Sequence, residues 1–219
     1  MSHHSLTEEN YLKAIYRISQ KADTKITPTA IAEEMNVNAA SVVDMIKKLN
    51  EKALIGYEKS KGVELTDKGS KSALSIVRNH RLWEVFLLEK LGYSWDVVHE
   101  IAEQLEHVKH LELADRLDKY LNFPEYDPHG DPIPKSNGEL PARANTLLSN
   151  IEVGKTCRVA AVTDTSAVFL QYLHQLSVSI GVEIKVEDKI AFDNSMIITI
   201  GHDLRTTVSR KFTESLLVN

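Results

Sequence analysis

A chain of 219 residues, 42% hydrophobic and 26% charged, has the make-up of a folded globular protein with room for one large or two smaller domains. No apolar run approaches the roughly 18 residues of a membrane-spanning helix, the stretch from Met1 to Leu6 lacks the apolar core of a secretory signal, and the single cysteine, Cys157, excludes an internal disulfide framework and suits a reducing compartment. A cytoplasmic protein without membrane association is expected. The net charge of −5 speaks only weakly against nucleic-acid binding, because Lys47, Lys48, Lys52, Lys59, Lys61, Lys68 and Lys71 cluster in one stretch while His99 to Glu125 is acid-rich.

In chain order, Leu6, Tyr11, Leu12, Ile15, Tyr16 and Ile18 recur at a helical period and predict a helix over 6–22, with Thr7 and Asn10 as a partial capping box. Thr27-Pro28-Thr29 opens a second helix, proline standing in the tolerated first turn. Asn36-Val37-Asn38 makes a turn, and Asn38 caps a third helix running to Asn50, whose Val42, Met45, Ile46 and Leu49 form one stripe. Gly56 to Thr66 reads as two short strands around a Lys- and Gly-containing tip, a hairpin. Further helices are predicted from Asp67 to about Leu91, from Ser94 to Val108 and from His110 to Leu121. Five of the six prolines then fall between Phe123 and Pro141, which predicts a linker with a locally ordered core at Asp127-Pro128-His129-Gly130. Beyond it, Cys157–Thr163, Glu183–Glu187, Met196–Ile200 and Thr206–Ser209 read as strands, with a short helix from about Thr165 to Leu176, a composition that suits a small barrel. The fold class is thus mainly α with β. Domain boundaries are placed at 1–71, 72–141 and 142–219.

Helix, turn, helix and hairpin in that order make a winged helix-turn-helix, in which the second helix of the pair enters the major groove and the hairpin contacts the backbone. Asn38, Ala39, Ala40, Ser41 and Asp44 occupy the exposed start of that recognition helix, where small residues permit close approach, Asn or Ser can bond base edges, and Ala40 can touch a thymine methyl. Asp44 is an unusual choice beside phosphates and would favour a cytosine amino group. Thr27, Thr29, Lys47, Lys48 and Lys61 are candidate phosphate contacts, although any one lysine is about as readily a solvated side chain.

A second constellation lies further along. Glu103, Glu106 and His107 share the i, i+3, i+4 spacing that places side chains on one helix face. His80 on the preceding helix adds a second imidazole, and Asn10 is a candidate fifth ligand. A second group draws on Glu84 and His99, to which the linker can add Asp127 and His129 and the C-terminal region Asp164. One such His–Glu pair is commonly a surface pair, but this many in register points to divalent-cation binding. Nitrogen and oxygen donors without a thiolate favour Mn²⁺ or Fe²⁺, with discrimination against zinc left to coordination number and geometry.

The run Glu9-Asn10-Tyr11-Leu12, the winged helix, Asn79-His80-Arg81-Leu82-x-Glu84, Val98-His99-x3-Glu103-x2-Glu106-His107 and Asp127-Pro128-His129-Gly130-Asp131-Pro132-Ile133-Pro134 together resemble the DtxR/MntR family of metal-dependent repressors. The likeness covers essentially the whole chain and extends to a C-terminal SH3-like (FeoA-type) domain. It implies a winged helix-turn-helix, a helical dimerisation domain and a small SH3-like β-barrel. It further implies a primary metal site of Asn10, His80, Glu103, Glu106 and His107, and an ancillary site of Glu84, His99, Asp127, His129 and Asp164, to which His80 is the alternative contributor. Iron-type members carry cysteine at the position of Glu103 and manganese-type members an acid, which tilts the metal toward Mn²⁺. Asn10 departs from the aspartate or methionine usual there, so Fe²⁺ stays open. The implied partners are double-stranded operator DNA and a second copy of the chain, with two metal sites per subunit, no small-molecule substrate and no enzymatic activity. Two other readings stand beside this one: a dinuclear metallohydrolase, and a DNA-binding scaffold with a purely structural metal.

Overall fold

The computed structural model describes residues 4–20, 25–108, 110 and 112–219. The chain divides into two compact units.

The first unit comprises Met1–His80, Glu103–Asp115 and Pro134–Glu139. It opens with α1 (Leu6–Ser19), α2 (Pro28–Met35) and α3 (Ala39–Glu51), followed by the antiparallel hairpin β1 (Ile55–Glu58) and β2 (Gly62–Leu65). Each helix start has a local cause. Ser5 and Glu8 form a reciprocal capping box on α1, so the N-terminus is set two residues before the expected Thr7 and Asn10 pair. Thr27 caps α2 ahead of Pro28, and the Asn38 side chain accepts from Ala40 N at the head of α3. Between α2 and α3 the chain reverses through Asn36 in the left-handed region, φ 51°. The apolar faces of these elements, Leu12, Ile15, Ile31, Val42, Leu49, Leu54 and Val63 among them, form one buried core, each large side chain contributing about 1.5–3 kcal/mol. Part of the expected first helix, residues 21–22, lies outside the described residues.

Helix α4 (Asp67–Leu91) begins where predicted, its first turn capped by the Thr66 hydroxyl, which accepts from Gly69 N. Gly69 is there because of space: a Cβ on it would lie 1.9 Å from the Leu54 carbonyl oxygen. The backbone of α4 therefore rests directly on the chain leading into the wing.

Two helices are shorter than their periodicity suggests. α5 spans Val98–Leu105, and Glu106 and His107 lie in the turn that follows it. The turn is closed by Val108 N donating to Leu105 O, while the Asn79 amide donates to the Glu106 carbonyl at 3.1 Å, satisfying a group that the ended helix leaves open. α6 spans Leu113–Tyr120; of the expected residues before it, 111 lies outside the described residues.

The second unit comprises Arg81–Ala102, Arg116–Ile133 and Leu140–Asn219. Its sheet holds β3 (Thr146–Leu147), β4 (Thr156–Val162), β5 (Glu183–Lys189), β6 (Met196–Ile200), β7 (Leu204–Val208) and β8 (Leu216–Val218) in the order β3-β8-β4-β5-β6-β7, every pairing antiparallel. Register shifts at Val159/Ala161 and Val186/Asp188 bend the strands around Val159, Ile184, Val186, Ile198, Leu216 and the helices α7 (Ala167–Gln175) and α8 (Arg210–Glu214). This is the SH3-like architecture expected. β3, β8 and α8 are additions to the predicted elements.

The proline-rich segment is more built than a linker. Tyr126 bridges Pro132, Asp127 Oδ1 accepts from the backbone N–H of both His129 and Asp131, and Val162 N of β4 donates to His129 O. Gly130, at φ +84°, lies so close to β4 that a Cβ would sit 2.1 Å from Ala160 O.

Candidate metal centre and nucleic-acid interface

In the first unit, α1, α4 and the end of α5 bring their polar side chains together around Glu106. This carboxylate is fully buried, and its Oε2 lies 2.6 Å from His80 Nδ1. His107 Nε2 stands 3.5 Å from Glu106 Oε1, and its other ring nitrogen, Nδ1, is 2.7 Å from Glu9 Oε2. Glu9 thereby orients the imidazole from behind and leaves Nε2 facing the cluster, the arrangement by which a carboxylate fixes the tautomer of a ligating histidine. Glu103 faces the same volume. Burial alone would raise its pKa, but the neighbouring Lys13 ammonium and its hydrogen bond pull it below the ordinary value, with His80 and Arg17 adding to this. Asn10 Oδ1 is buried with no hydrogen-bond partner among the described residues. Such an acceptor is an exception among buried polar atoms. An unsatisfied oxygen on α1, the helix whose Glu9 and Lys13 reach His107, Glu103 and Glu106, fits a site for a divalent cation.

Glu9 and Lys13 carry no sequence signal of their own: on an amphipathic helix each reads as a solvated side chain. Both are buried here. Lys13 Nζ donates to Glu106 Oε1 at 2.6 Å and Oε2 at 2.8 Å and lies 2.8 Å from Glu103 Oε2. The sequence separation of 93 residues explains why no local pattern announces the pairing.

The second unit holds its own cluster. Glu84, Asp127 and His129 are all buried and offer ligand atoms within 4.8 Å of one another. His129 Nε2 lies 3.0 Å from Trp95 O, its ring stacks on the Trp95 ring, and its Nδ1 is 3.7 Å from Glu84 Oε2. His129 Nε2–H donates to that carbonyl, so Nδ1 is the ring nitrogen turned toward Glu84. His99 Nδ1 meets Glu84 Oε1 at 2.9 Å. Burial, with Glu84 and Asp131 nearby, raises the Asp127 pKa to about 7 against the opposing pull of Arg81 and His129. For His129, burial works to lower the pKa, but the Glu84 hydrogen bond and charge and the Asp127 charge carry it up to about 9. Asp164 accepts from Ser166 N and stands 3.9 Å from Lys211.

On the helix-turn-helix, Asn38, Ala39, Ala40, Ser41, Asp44 and Lys47 are exposed along the start of α3. The Asn38 side chain is engaged as a cap and the Ser41 hydroxyl donates to Asn38 O at 2.6 Å. The Asp44 carboxylate lies 3.4 Å from the Lys47 ammonium. Thr27 accepts from Ala30 N, and Thr29 is exposed beside it. Lys61 pairs with Glu58 at the exposed wing tip, whereas Lys48 lies 3.1 Å from the buried Glu8.

Comparison with known proteins identifies the family. Residues 4–63 match the iron dependent repressor N-terminal DNA binding domain, residues 66–135 the iron dependent repressor metal binding and dimerisation domain, and residues 146–219 the FeoA domain. The iron-dependent repressor IdeR of Mycobacterium tuberculosis is 34% identical over 128 residues, 58% of this chain and 55% of that protein. The diphtheria toxin repressor of Corynebacterium diphtheriae is 30% identical over 128 residues, 58% of this chain and 56% of that one. The chain thus spans about 55% of the length of these curated relatives. Solved structures match over nearly the full length: a manganese-dependent transcriptional repressor in complex with manganese has a TM-score of 0.87 at 33% identity, covering 96% of this chain and 98% of that one. The manganese regulator SloR gives a TM-score of 0.78 at 35% identity, with 97% of both chains covered.

Proposed function

Since the chain belongs to the DtxR/MntR family of metal-dependent transcriptional repressors, we propose that it is a homodimeric repressor that binds operator DNA when loaded with Mn²⁺ or Fe²⁺ and controls genes of metal uptake. What supports this reading is the gathering of His80, Glu103, Glu106 and His107 in the same compact unit as the helix-turn-helix, with Asn10 Oδ1 buried and without a hydrogen-bond partner among the described residues. These residues form the proposed primary site. Glu84, His99, Asp127 and His129 form the core of the ancillary site, with Asp164 as its outer member.

A bound dication supplies positive charge at the buried carboxylates and a fixed coordination geometry. The protein's own groups do the rest. Asn10 ties α1 to the site. His80 brings α4. Glu103, Glu106 and His107 bring the end of α5, with Glu9 setting the His107 ring. Holding α1 in place holds the packed helices α2 and α3, and so the spacing of the two recognition helices of the dimer. The effect is a coupling free energy of about 1–3 kcal/mol per effector, and operator DNA tightens metal binding by the same factor. On the DNA side, Asn38 to Ser41 and Asp44 face base edges, while Thr27, Thr29, Lys47, Lys48 and Lys61 set position on phosphates.

The oxygen and nitrogen donors, with Cys157 buried in the core of the second unit, support Mn²⁺ or Fe²⁺ over a thiolate-selected metal, and the acid at Glu103 favours Mn²⁺. A regulator is supported over a hydrolase because the proposed site shares its helices with a DNA-reading module. Fluorescence anisotropy of a labelled operator, titrated with Mn²⁺, Fe²⁺ and Zn²⁺, is the test. Glu106→Gln and His107→Ala are expected to abolish metal-stimulated binding in a folded protein; stimulation retained in both removes the ligand assignment. Turnover without DNA binding would identify an enzyme, and binding indifferent to metal a scaffold.

A further inference from the structure

Lys13 stands inside the proposed primary site and is only 4% exposed. An ammonium has three hydrogens to donate, and here its close contacts are the two oxygens of Glu106, at 2.6 and 2.8 Å, and Glu103 Oε2, at 2.8 Å. The side chain therefore covers both oxygens of the fully buried Glu106 and one of Glu103, the two carboxylates of the proposed ligand set. Arg17, one turn further along α1, reaches Glu103 only at 3.7 Å and remains partly exposed.

We infer that Lys13 is the resident counter-cation of this site: it neutralises and gathers Glu103 and Glu106 in the metal-free chain, and it must withdraw before those carboxylates can hold a divalent ion. The inference rests on the primary-site reading above. Its physical basis is exclusion. A dication would compete with the ammonium for the same Glu106 oxygens, and two cations sharing one buried carboxylate repel strongly at low local dielectric. Lysine suits such a role, being a compact point charge on a flexible four-carbon stem that can swing aside, which a planar guanidinium could not do as freely.

Two consequences distinguish this from a simple buried ion pair. Lys13 raises the metal concentration needed for loading, acting in the same sense as the neutral Asn10. It also bridges α1 to the end of α5 as the ion would, so the metal-free protein keeps that contact in a weaker form.

The test uses the full chain, with Mn²⁺ binding followed by the electron paramagnetic resonance of the free ion and unfolding followed by circular dichroism. Lys13→Met is expected to tighten Mn²⁺ binding at the primary site at least tenfold and to lower the Tm of the metal-free protein while leaving that of the Mn²⁺-loaded protein near wild type. Lys13→Arg, which keeps the charge, should bind Mn²⁺ no more tightly than wild type. In a Glu106→Gln background the gain from Lys13→Met should vanish. Unchanged or weaker Mn²⁺ binding by folded Lys13→Met overturns the inference, as does a tenfold gain in Lys13→Arg; should Lys13→Met not fold, Lys13→Gln replaces it under the same criterion. Mn²⁺ binding that survives intact in Glu106→Gln alone overturns the primary-site reading instead, so the two failures are separable.

Discussion

The Nζ of Lys52, at the C-terminal end of the recognition helix, donates to the buried Glu8 carboxylate of α1 at 2.6 Å. Glu8 also accepts from the capped backbone of Ser5 and faces Lys48 at 3.1 Å, so one side chain joins the start of α1 to the end of α3. Immediately after it come Glu9, which meets His107, and Asn10, a proposed ligand.

This pairing predicts an acid dependence. Burial alone would raise the Glu8 pKa, but the Lys52, Ser5 and Lys48 interactions hold it down to about 2, from an ordinary 4.5. A depressed folded-state value stabilises the protein above the ordinary value, and that contribution is lost as pH falls from about 4.5 through about 2. Glu8→Gln should therefore destabilise the metal-free protein by about 1–2 kcal/mol near neutrality, the lower part of the range for charged hydrogen bonds because both lysines stand half in water. It should also flatten the acid limb of stability, measured by urea unfolding at stepped pH. An unaltered acid limb in the variant would show that Glu8 is not responsible.

Gly130→Ala is expected to be costly. The added Cβ would meet Ala160 O at 2.1 Å and the Ala161 Cα at 2.6 Å, at a backbone φ of +84°. Strain and overpacking together predict a loss of about 2–4 kcal/mol, accompanied by disruption of the neighbouring His129 and Asp127. Thermal unfolding measures the first and Mn²⁺ stoichiometry the second. A neutral substitution would mean that the 127–132 turn is not pinned against β4.

His129→Ala removes one of the three buried ligand atoms of the cluster in the second unit. Isothermal titration should then show one metal ion fewer per subunit than wild type, with the primary site still loading. A variant that keeps the full complement would shift the ancillary site elsewhere.

Lys61, exposed at the wing tip and paired with Glu58, should act as a phosphate contact without sequence preference. Lys61→Ala is predicted to weaken specific and non-specific operator binding alike and to reduce the slope of log affinity against log salt by about 0.9. A change confined to one DNA sequence would instead make Lys61 a base reader.

What could be read in the linear chain follows a physical line. α2, α3 and the wing follow from caps, the Pro28 position and apolar period, because each of those causes is local. β5, β6 and α7 were legible for similar reasons, with polar and apolar residues alternating or repeating within a few positions. β8 was not: Leu216–Val218 is buried at every position, so it has no alternation to detect and owes its strand state to pairing with β3 and β4. The end of α5 was misjudged because the Asn79 amide, 27 residues away, takes the Glu106 carbonyl. The same logic separates the proposed site residues. Glu103, Glu106 and His107 announce themselves by spacing. Glu9 and Lys13 acquire meaning only when α1 is brought against the end of α5.

The seating of Gly69 on the Leu54 carbonyl has a mechanical corollary. With no side chain interposed, the long rod that carries His80 is geared to the wing at its very first turn. A small tilt of that rod near the histidine would be delivered to the hairpin as displacement rather than absorbed by a compliant cushion. A bulkier residue at this bearing should uncouple ion sensing from DNA reading even where both remain individually intact.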